Sequence, residues 1–513
     1  MVKDFKQIPV QQSKYPGTNK VTLILLGLVT GLFSGLIAVA YRYVLAELDT
    51  FRDSIYAMPL SFNYLWVFLL ALIFSIIIVY LLKWAPLSGG SGIPQIRGEL
   101  LGRVSMNPGP TLISKFLGGS MANLIGLSLG REGPSIQLGG VMGKIVGKLF
   151  KTDKLTTNYL ITAGASAGLS AAFNAPIAGT LFTLEEVYGS FSHYLLLPSI
   201  VASITANFVS FTLSGKIHSF SFSVSQTIEM KDIGWVVLVG LFSGVVGILF
   251  NRIMEWTRRF FVWTRLKPIY LIPIIFLLTV IVGIFQPDLL GGGHHLVEHM
   301  VAAPISVSML GFLLIGKLIF TSISYNSGVQ GGIFLPVLVL GAISGLLVFH
   351  LSGLEAVYMV NFIILGMGAV MTSVVRAPIM SIVLVLEMTG SFTHLIMLSF
   401  ASIIAFIVGE TSQTEPIYVT LYNNLMNKIH PKTEEKSELI VSYFTIEPES
   451  PLVNTTLSQL DFPTNLLIAE IERDDVVILP KADDQINTLD TLLVLHNAVD
   501  TERVFDYFTH TGQ

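Results

Sequence analysis

The feature that most constrains the fold of this sequence is an internal duplication. Gly31-Leu-Phe-Ser-Gly35 recurs as Gly240-Leu-Phe-Ser-Gly244, which lies 209 positions later. From residue 89 onward the matched landmarks are 202 positions apart, so the two halves differ by one early length change of seven residues. The matched pairs are Gly89 and Gly291, Lys115 and Lys317, Pro134 and Pro336, Pro176 and Pro378, and Glu185 and Glu387. The duplication predicts two homologous halves, about 21–215 and 230–430, with a site at their interface.

Long apolar segments indicate that most of the chain lies in a membrane. The sequence is 52% hydrophobic and only 12% charged, and a helix needs about 20 apolar residues to cross a bilayer. The run 21–48 is too long for the core of a cleaved signal peptide, so we interpret it as the first membrane helix. The four lysines of segment 1–20 favour a cytoplasmic N-terminus. The other long runs are Asn63–Leu82, Leu195–Leu213, Gly234–Ile253, Pro268–Phe285, Ser308–Ile323, Ile333–Leu351, Val360–Val374 and Leu395–Val408.

Charge is concentrated at the C-terminal end of the chain. Residues 431–513 contain 16 acidic and 5 basic residues, whereas the whole chain has a net charge of −4. We therefore divide the chain into a cytoplasmic segment 1–20, a membrane domain 21–430 and an acidic cytosolic domain 431–513. The absence of cysteine excludes disulfide bonds and thiolate metal sites. We expect no nucleic-acid partner, no bound metal and no cofactor.

Three glycine-rich segments each precede a helix-like stretch. They are 90–94, 130–134 and 331–336, and each has a proline near the first turn of the following helix, where proline is favoured. Helix N-termini carry unpaired N–H groups and the positive end of the helix dipole. Three such ends directed at one place would bind an anion without lysine or arginine. A site without full positive charges also lets the ion leave again.

Glu132 lies inside the second of these segments, in Gly-Arg-Glu-Gly-Pro. A charge at the bilayer centre costs roughly 3 kcal/mol even on insertion-based scales. An acid beside exposed backbone donors therefore indicates a site that handles protons, anions or both. The alternative from the residues alone is a structural acid that pairs with the neighbouring Arg131.

The sequence resembles the CLC family of chloride channels and transporters. The matching motifs are GSGIP at 90–94, GREGPSIQ at 130–137, AAFNAPIAGTLFTLEE at 171–186, GGIFLP at 331–336 and the tyrosine of Glu415-Pro-Ile-Tyr418. The resemblance implies an all-α polytopic membrane protein with the CLC fold, in which two inverted repeats of tilted and broken helices form one ion pathway per subunit. It also implies a homodimer in the cell membrane with both termini in the cytoplasm.

The resemblance implies that uncharged hydrogen-bond donors bind chloride. It gives a central site to the hydroxyls of Ser91 and Tyr418 and the backbone amides of Ile333 and Phe334, and an outer site to amides near Arg131 and Gly133. Without the resemblance, Ser91 would be interpreted as a helix cap and Tyr418 as an aromatic residue of the membrane interface. Serine at position 91 goes with chloride preference in the family, so chloride is the expected anion.

Two acids are assigned to gating and proton transfer by the same resemblance. Glu132 matches the external gating glutamate, which competes with chloride when ionised and admits chloride when protonated. Glu186 matches the internal glutamate that relays protons in many exchangers, and its presence favours chloride/proton exchange over the alternative of a passive chloride channel. The alternative for Glu185 and Glu186 is that they only end a helix at the cytoplasmic surface.

Two further patterns do not support an enzyme. Gly164-Ala-Ser166-Ala-Gly168 fits the G-x-S-x-G pattern of hydrolases, but no strand precedes it and no base is evident. Small residues for close helix packing explain it better. His294 and His295 have no third ligand at a suitable spacing, so we predict no metal site there.

The sequence of the C-terminal domain predicts a small α/β fold. Strand patterns occur at 441–446, 465–473, 476–479 and 491–495, with a short helical turn at 457–460. The order resembles the C-terminal subdomain of RCK regulators of potassium transport, also called the TrkA C-terminal domain. Matching features are Ile471-Glu-Arg473, Pro480 and Asp490. Because some such subdomains bind cyclic di-AMP, we expect a regulatory ligand within Leu439–His496; the alternative is a domain that only braces a dimer.

Overall fold

The computed structural model describes residues 19–57, 64–188, 193–215, 220, 222, 226, 228–303, 305–429, 439–446, 450–460, 462, 464–473, 476–497, 500, 503–504 and 507–508. Most of the predicted segment 1–20 therefore lies outside the described residues. The chain divides into two compact units, Met1–Leu425 and Met426–Gln513. This division lies a few residues before the boundary expected from the sequence, because the last helix of the membrane domain continues into the second unit.

The regular elements in the described part of the first unit are helices, apart from two isolated bridges. Nine of its described helices are long and apolar enough to cross a membrane, which agrees with the prediction of an all-α polytopic membrane domain. The helices are α1 (Lys20–Tyr56), α2 (Tyr64–Trp84), α3 (Ile93–Leu100), α4 (Pro108–Ile125), α5 (Glu132–Leu149), α6 (Lys154–Phe173), α7 (Pro176–Phe182), α8 (His193–Ser214), α9 (Ile233–Thr264), α10 (Pro268–Phe285), α11 (His294–Ala302), α12 (Val307–Asn326), α13 (Phe334–Ser352), α14 (Met359–Val375), α15 (Pro378–Thr389), α16 (Leu395–Thr411) and α17 (Ile417–Ile429).

The duplication in the sequence is also a duplication of helix order and packing. Helix α1 packs against α8 as α9 packs against α16, and α5 packs against α6 as α13 packs against α14. Glycine makes the close approach of α1 to α8 and of α9 to α16 possible. A Cβ on Gly240 would lie 2.8 Å from the carbonyl oxygen of Ala401, and a Cβ on Gly31 would overlap the carbonyl oxygen of Ala202. Small residues let helix backbones approach closely within a bilayer.

The two halves are related by an approximate two-fold axis. Gly130 and its counterpart Gly332 form an antiparallel bridge in which each N–H donates to the other's carbonyl, at 2.7 and 2.8 Å. Glu387 accepts the N–H of Ala178 at 2.7 Å, and Glu185 faces the N–H of Met380, the counterpart of Ala178. Reciprocal contacts between equivalent residues are the signature of a two-fold relationship.

The second unit contains a four-stranded antiparallel sheet in the order β1-β4-β2-β3. Its strands are β1 (Leu439–Thr445), β2 (Leu466–Arg473), β3 (Val476–Ile478) and β4 (Thr491–Asn497), and a 3₁₀ turn covers Leu457–Gln459. On β4, Leu492, Val494 and His496 are fully buried and alternate with less buried residues. The predicted small α/β domain is therefore confirmed.

Candidate functional site

The three glycine-rich segments meet at one place. The N–H of Gly90 donates to the carbonyl of Val329 and the N–H of Gly331 donates to the carbonyl of Gly90, both at 3.0 Å. The Gly130–Gly332 bridge joins the second segment to the third. Helices α3, α5 and α13 begin inside these segments, at Ile93, Glu132 and Phe334, so three helix N-termini lie close together.

Ser91 lies at the contact between the first and second segments. Its side chain is buried, and Gly92 after it has a φ of +93°, which glycine adopts without strain. The Ser91 hydroxyl oxygen accepts the N–H of Ile93 at 3.4 Å, but the N-cap of α3 is Gly92. A Cβ on Gly133 would lie 2.9 Å from the Ser91 Cβ. The structure thus brings together one residue from each predicted anion site.

Tyr418, at the start of α17, is buried beside the beginning of α13. The ring of Phe182 makes edge contacts with Tyr418 at 5.7 Å and with Phe334 at 5.6 Å between centroids. Ile333 is the residue before α13 and Phe334 is its first residue, and both are 1% exposed. The amides at this helix start belong to the unpaired first turn. The four residues predicted for the central site therefore lie around two adjoining helix starts and one aromatic cluster.

Glu132 is the first residue of α5 and is fully buried. Among the described residues, neither carboxylate oxygen has a hydrogen bond of ordinary geometry, but the side chain contacts Gly130 and faces the backbone N–H of Leu335 in the first turn of α13. The Arg131 Nε lies 3.8 Å from Oε1, which is a long ion pair. The carboxylate thus lies where two helix N-termini adjoin, with only a weak pairing to Arg131.

The adjacent acids Glu185 and Glu186 have different surroundings. Both belong to the π-helical turn Thr183–Tyr188. The Glu185 carboxylate faces the backbone N–H of Met380 at the start of α15. Glu186 instead lies within electrostatic range of Arg97 and Tyr418, and the Arg97 guanidinium lies 5.3 Å above the ring of Tyr422.

The sequence did not indicate a function for two buried lysines, Lys115 and Lys317, or for Tyr325. The buried Lys115 ammonium donates to the carbonyls of Ser88 and Gly90 at 2.8 and 2.7 Å, and its counterpart Lys317 donates to that of Gly291 at 2.7 Å. The matched positions of the two lysines in the duplication were the sequence feature that could have indicated their shared role. Tyr325, whose hydroxyl lies 3.4 Å from the Ser91 oxygen, belongs to no motif and gave no signal.

Comparison with known proteins decides the family. Residues 73–410 match the family model described as voltage gated chloride channel. The chain belongs to this family. Residues 441–509 match the TrkA-C domain. Both resemblances proposed from the motifs are therefore confirmed.

Full-length relatives of this family member are named as exchangers. The H(+)/Cl(-) exchange transporter ClcA of Salmonella arizonae is 32% identical over 453 residues, which cover 84% of this chain and 93% of that protein. The transporter of the same name from Vibrio vulnificus is 32% identical over 429 residues, covering 79% of this chain and 90% of its own length.

Solved structures of the family share the fold. A slow cyanobacterial Cl-/H+ antiporter has a TM-score of 0.74 and 28% identity, covering 80% of this chain and 99% of its own. A CLC-type fluoride/proton antiporter has a TM-score of 0.67 and 26% identity, covering 78% and 97%. The CLC fold expected from the motifs is thus the fold of this chain.

In this family member, a cavity of about 260 Å³ lies beside the segment that contains Glu132. Gly130, Arg131 and Leu335 form part of its lining, so the cavity adjoins the two residues before Glu132 and the first turn of α13. Its other polar lining includes Asp49, Arg52, Asp288, His294 and His295. His294 and His295 both lie near Glu298, at 3.4 and 3.5 Å, and the described residues contain no cluster of three or more metal-ligating side chains.

The TrkA-C unit has one strong internal ion pair. Arg473, the last residue of β2, donates to both carboxylate oxygens of Asp490, at 2.8 and 2.7 Å. Asp490 is fully buried and also accepts the N–H of Asn487 at 2.7 Å. Arg473 and Asp490, which belong to the features that carried the TrkA-C resemblance, therefore hold the end of β2 against the turn before β4, which is a structural role.

Proposed function

We propose that this chain is a chloride/proton antiporter that exchanges Cl⁻ for H⁺ across the cell membrane, with Glu132 as the external gate. The observation that carries the proposal is the position of the Glu132 carboxylate at the adjoining starts of α5 and α13. Helix N-termini bind anions, so an ionised Glu132 competes with chloride for this place. Protonation removes that competition, and chloride then enters.

Neutral donors at the central site explain how chloride can bind and still leave. The hydroxyls of Ser91 and Tyr418 and the amides of Ile333 and Phe334 provide donors without a full positive charge. The nearby lysine, Lys115, directs its ammonium to the carbonyls of Ser88 and Gly90. Weak, multiple sites favour conduction, whereas a full charge in direct contact would hold the ion. Amides near Arg131 and Gly133 line the outer site.

Glu186 distinguishes an exchanger from the alternative, a passive chloride channel. Glu186 is partly buried and interacts electrostatically with Arg97 and Tyr418. These surroundings support a role as the internal proton acceptor. The relatives named as H(+)/Cl(-) exchange transporters support the same choice. A channel would use the same anion site, so only proton movement separates the two functions.

The decisive experiment measures both ions in liposomes that contain the purified protein. An imposed chloride gradient should drive protons uphill, which an external pH electrode records. Glu132→Ala should keep chloride flux and abolish proton movement. Chloride flux without any proton movement in the wild type would identify a channel instead. Loss of all chloride flux in Glu132→Ala would contradict the gate assignment.

We further propose that the chain functions as a homodimer with both termini in the cytoplasm. Ile177 and Ile379, at the starts of α7 and α15, are 49% and 61% exposed, and beside them Glu387 accepts the N–H of Ile177 at 3.1 Å. If this face lay against lipid, the partly exposed Glu387 carboxylate would be costly, whereas a second copy would cover it. Since the chain has no cysteine, Ile379→Cys should form a cross-linked dimer on oxidation, whereas Ile274→Cys on α10 should not.

The TrkA-C unit is proposed to regulate transport by binding cyclic di-AMP within Leu439–His496. The support is the family match at 441–509 together with the folded four-stranded sheet. Calorimetry of the full chain with cyclic di-AMP tests this proposal. If no heat of binding is observed, the unit is better explained as a brace for the dimer.

A further inference from the structure

Tyr325 is a buried residue whose position is fixed from several sides. It lies in the last turn of α12, and its backbone carbonyl accepts the N–H of Gly328, whose φ is +81°. The same helix is joined to the segment before Glu132, because Ser324 accepts the N–H of Ser128 at 3.1 Å. The Tyr325 ring is therefore held by a helix that also braces the second glycine-rich segment.

The Tyr325 hydroxyl points at the first glycine-rich segment. Its oxygen lies 3.4 Å from the Ser91 oxygen, to which it donates. It also faces Gly90, since a Cβ at that position would lie 3.4 Å from it. The Ser91 oxygen therefore faces two donors, the Tyr325 hydroxyl and the Ile93 N–H.

The chemistry of a hydroxyl makes this arrangement directional. A serine hydroxyl has one proton to donate and two lone pairs that accept. With both lone pairs facing donors, the proton of Ser91 is directed away from Tyr325 and Ile93. A hydroxyl that was free to rotate would present a lone pair to an anion for part of the time, which repels it. Pre-orientation of a donor strengthens binding because the ordering cost is met before the ligand arrives.

We propose that Tyr325 is a positioning residue that holds the Ser91 hydroxyl as a donor to the anion at the central site. The inference rests on the proposed function, because it takes Ser91 to bind chloride. Tyr325 acts through Ser91 and does not itself contact the ion. Its removal should therefore change chloride affinity only while Ser91 is present.

A double-mutant cycle tests this inference by calorimetry of chloride binding to the full chain in detergent. Tyr325→Phe should weaken chloride binding about three- to tenfold, which corresponds to the loss of one hydrogen bond. In the Ser91→Ala background the same change should have no further effect, because interacting residues are not additive. In liposomes, Tyr325→Phe should raise the KM for chloride and leave the maximal rate unchanged.

The matched control is Tyr159→Phe, which removes another buried phenol hydroxyl from a ring that packs against Tyr188 at 6.4 Å. It should leave chloride affinity unchanged. If Tyr325→Phe does not fold, Tyr325→Met serves in the same cycle, since it also lacks the donor. Additive effects of the two substitutions, or unchanged affinity in Tyr325→Phe, would overturn the proposal. Absence of chloride binding by the wild type would overturn the proposed function as well, which distinguishes the two failures.

Discussion

Ser91 lies directly against Gly133: a Cβ at position 133 would be 2.9 Å from the Ser91 Cβ and 2.9 Å from its carbonyl oxygen. Real Cβ atoms do not approach other atoms so closely. The contact joins the segment before α3 to the first turn of α5, so it sets the distance between the proposed central site and the gate.

Gly133→Ala should therefore separate these two segments. Inserting a methyl group into a closely packed site typically costs about 1–3 kcal/mol, and we expect chloride affinity to fall by roughly tenfold or more together with the thermal midpoint of unfolding. Gly311→Ala is the control, because a Cβ at this position on α12 meets nothing within 4 Å. Calorimetry with chloride and a thermal melt measure both effects; an unchanged affinity in Gly133→Ala would contradict the close contact.

Substitution of Glu186 should affect proton transfer, whereas substitution of the neighbouring Glu185 should affect stability. Glu186→Gln should reduce proton flux by roughly 100-fold or more while chloride flux continues, because the amide cannot carry a proton. Glu185→Gln weakens the contact with the N–H of Met380, so it should lower the thermal midpoint and leave the ratio of chloride to protons unchanged. Parallel recording of both ions in liposomes measures this ratio, and the reverse pattern would exchange the two roles.

Glu387→Ala should destabilise the interface between α7 and α15. The carboxylate accepts the N–H groups of Ile177 and Ala178 at 3.1 and 2.7 Å, and loss of a capping side chain typically costs about 1 kcal/mol. The thermal midpoint of the full chain in detergent should fall relative to Glu355→Ala, in which an exposed acid is removed. Equal midpoints for the two variants would show that the cap contributes little.

Asp490→Asn should loosen the TrkA-C unit. The substitution leaves the Arg473 guanidinium without its charged partner, and breaking a buried ion pair typically costs about 3–5 kcal/mol. Part of this cost is relieved because the Arg473 side chain is 31% exposed. Hydrogen exchange of the full chain should show faster exchange across β2 and β4 than in Asp483→Asn, where an exposed acid of the same loop is changed. Unchanged protection would argue against a structural role for the pair.

Much of the fold followed from local and periodic features of the sequence. The duplication, the apolar runs and the strand pattern after residue 439 each depend on the order of residues along one segment. The chemistry of each glycine-rich segment is local as well, because a helix N-terminus exposes its own first-turn amides. The individual roles of Ser91, Glu132, Ile333 and Phe334 came from the match to the family motifs, and they stay predictions.

Only the tertiary structure decided how these pieces are arranged. The sequence aligned Gly130 with Gly332, but it did not show that the two pair with each other across a two-fold axis. The motif match assigned proton transfer to Glu186, but it did not show that Glu185 faces the N–H of Met380 or that Glu186 lies near Arg97 and Tyr418. The sequence also contained no motif around Tyr325. These assignments depend on which helix start faces which side chain, and such contacts join residues about 200 positions apart. Local propensity determines that a helix begins, whereas packing between distant helices determines what its first turn meets.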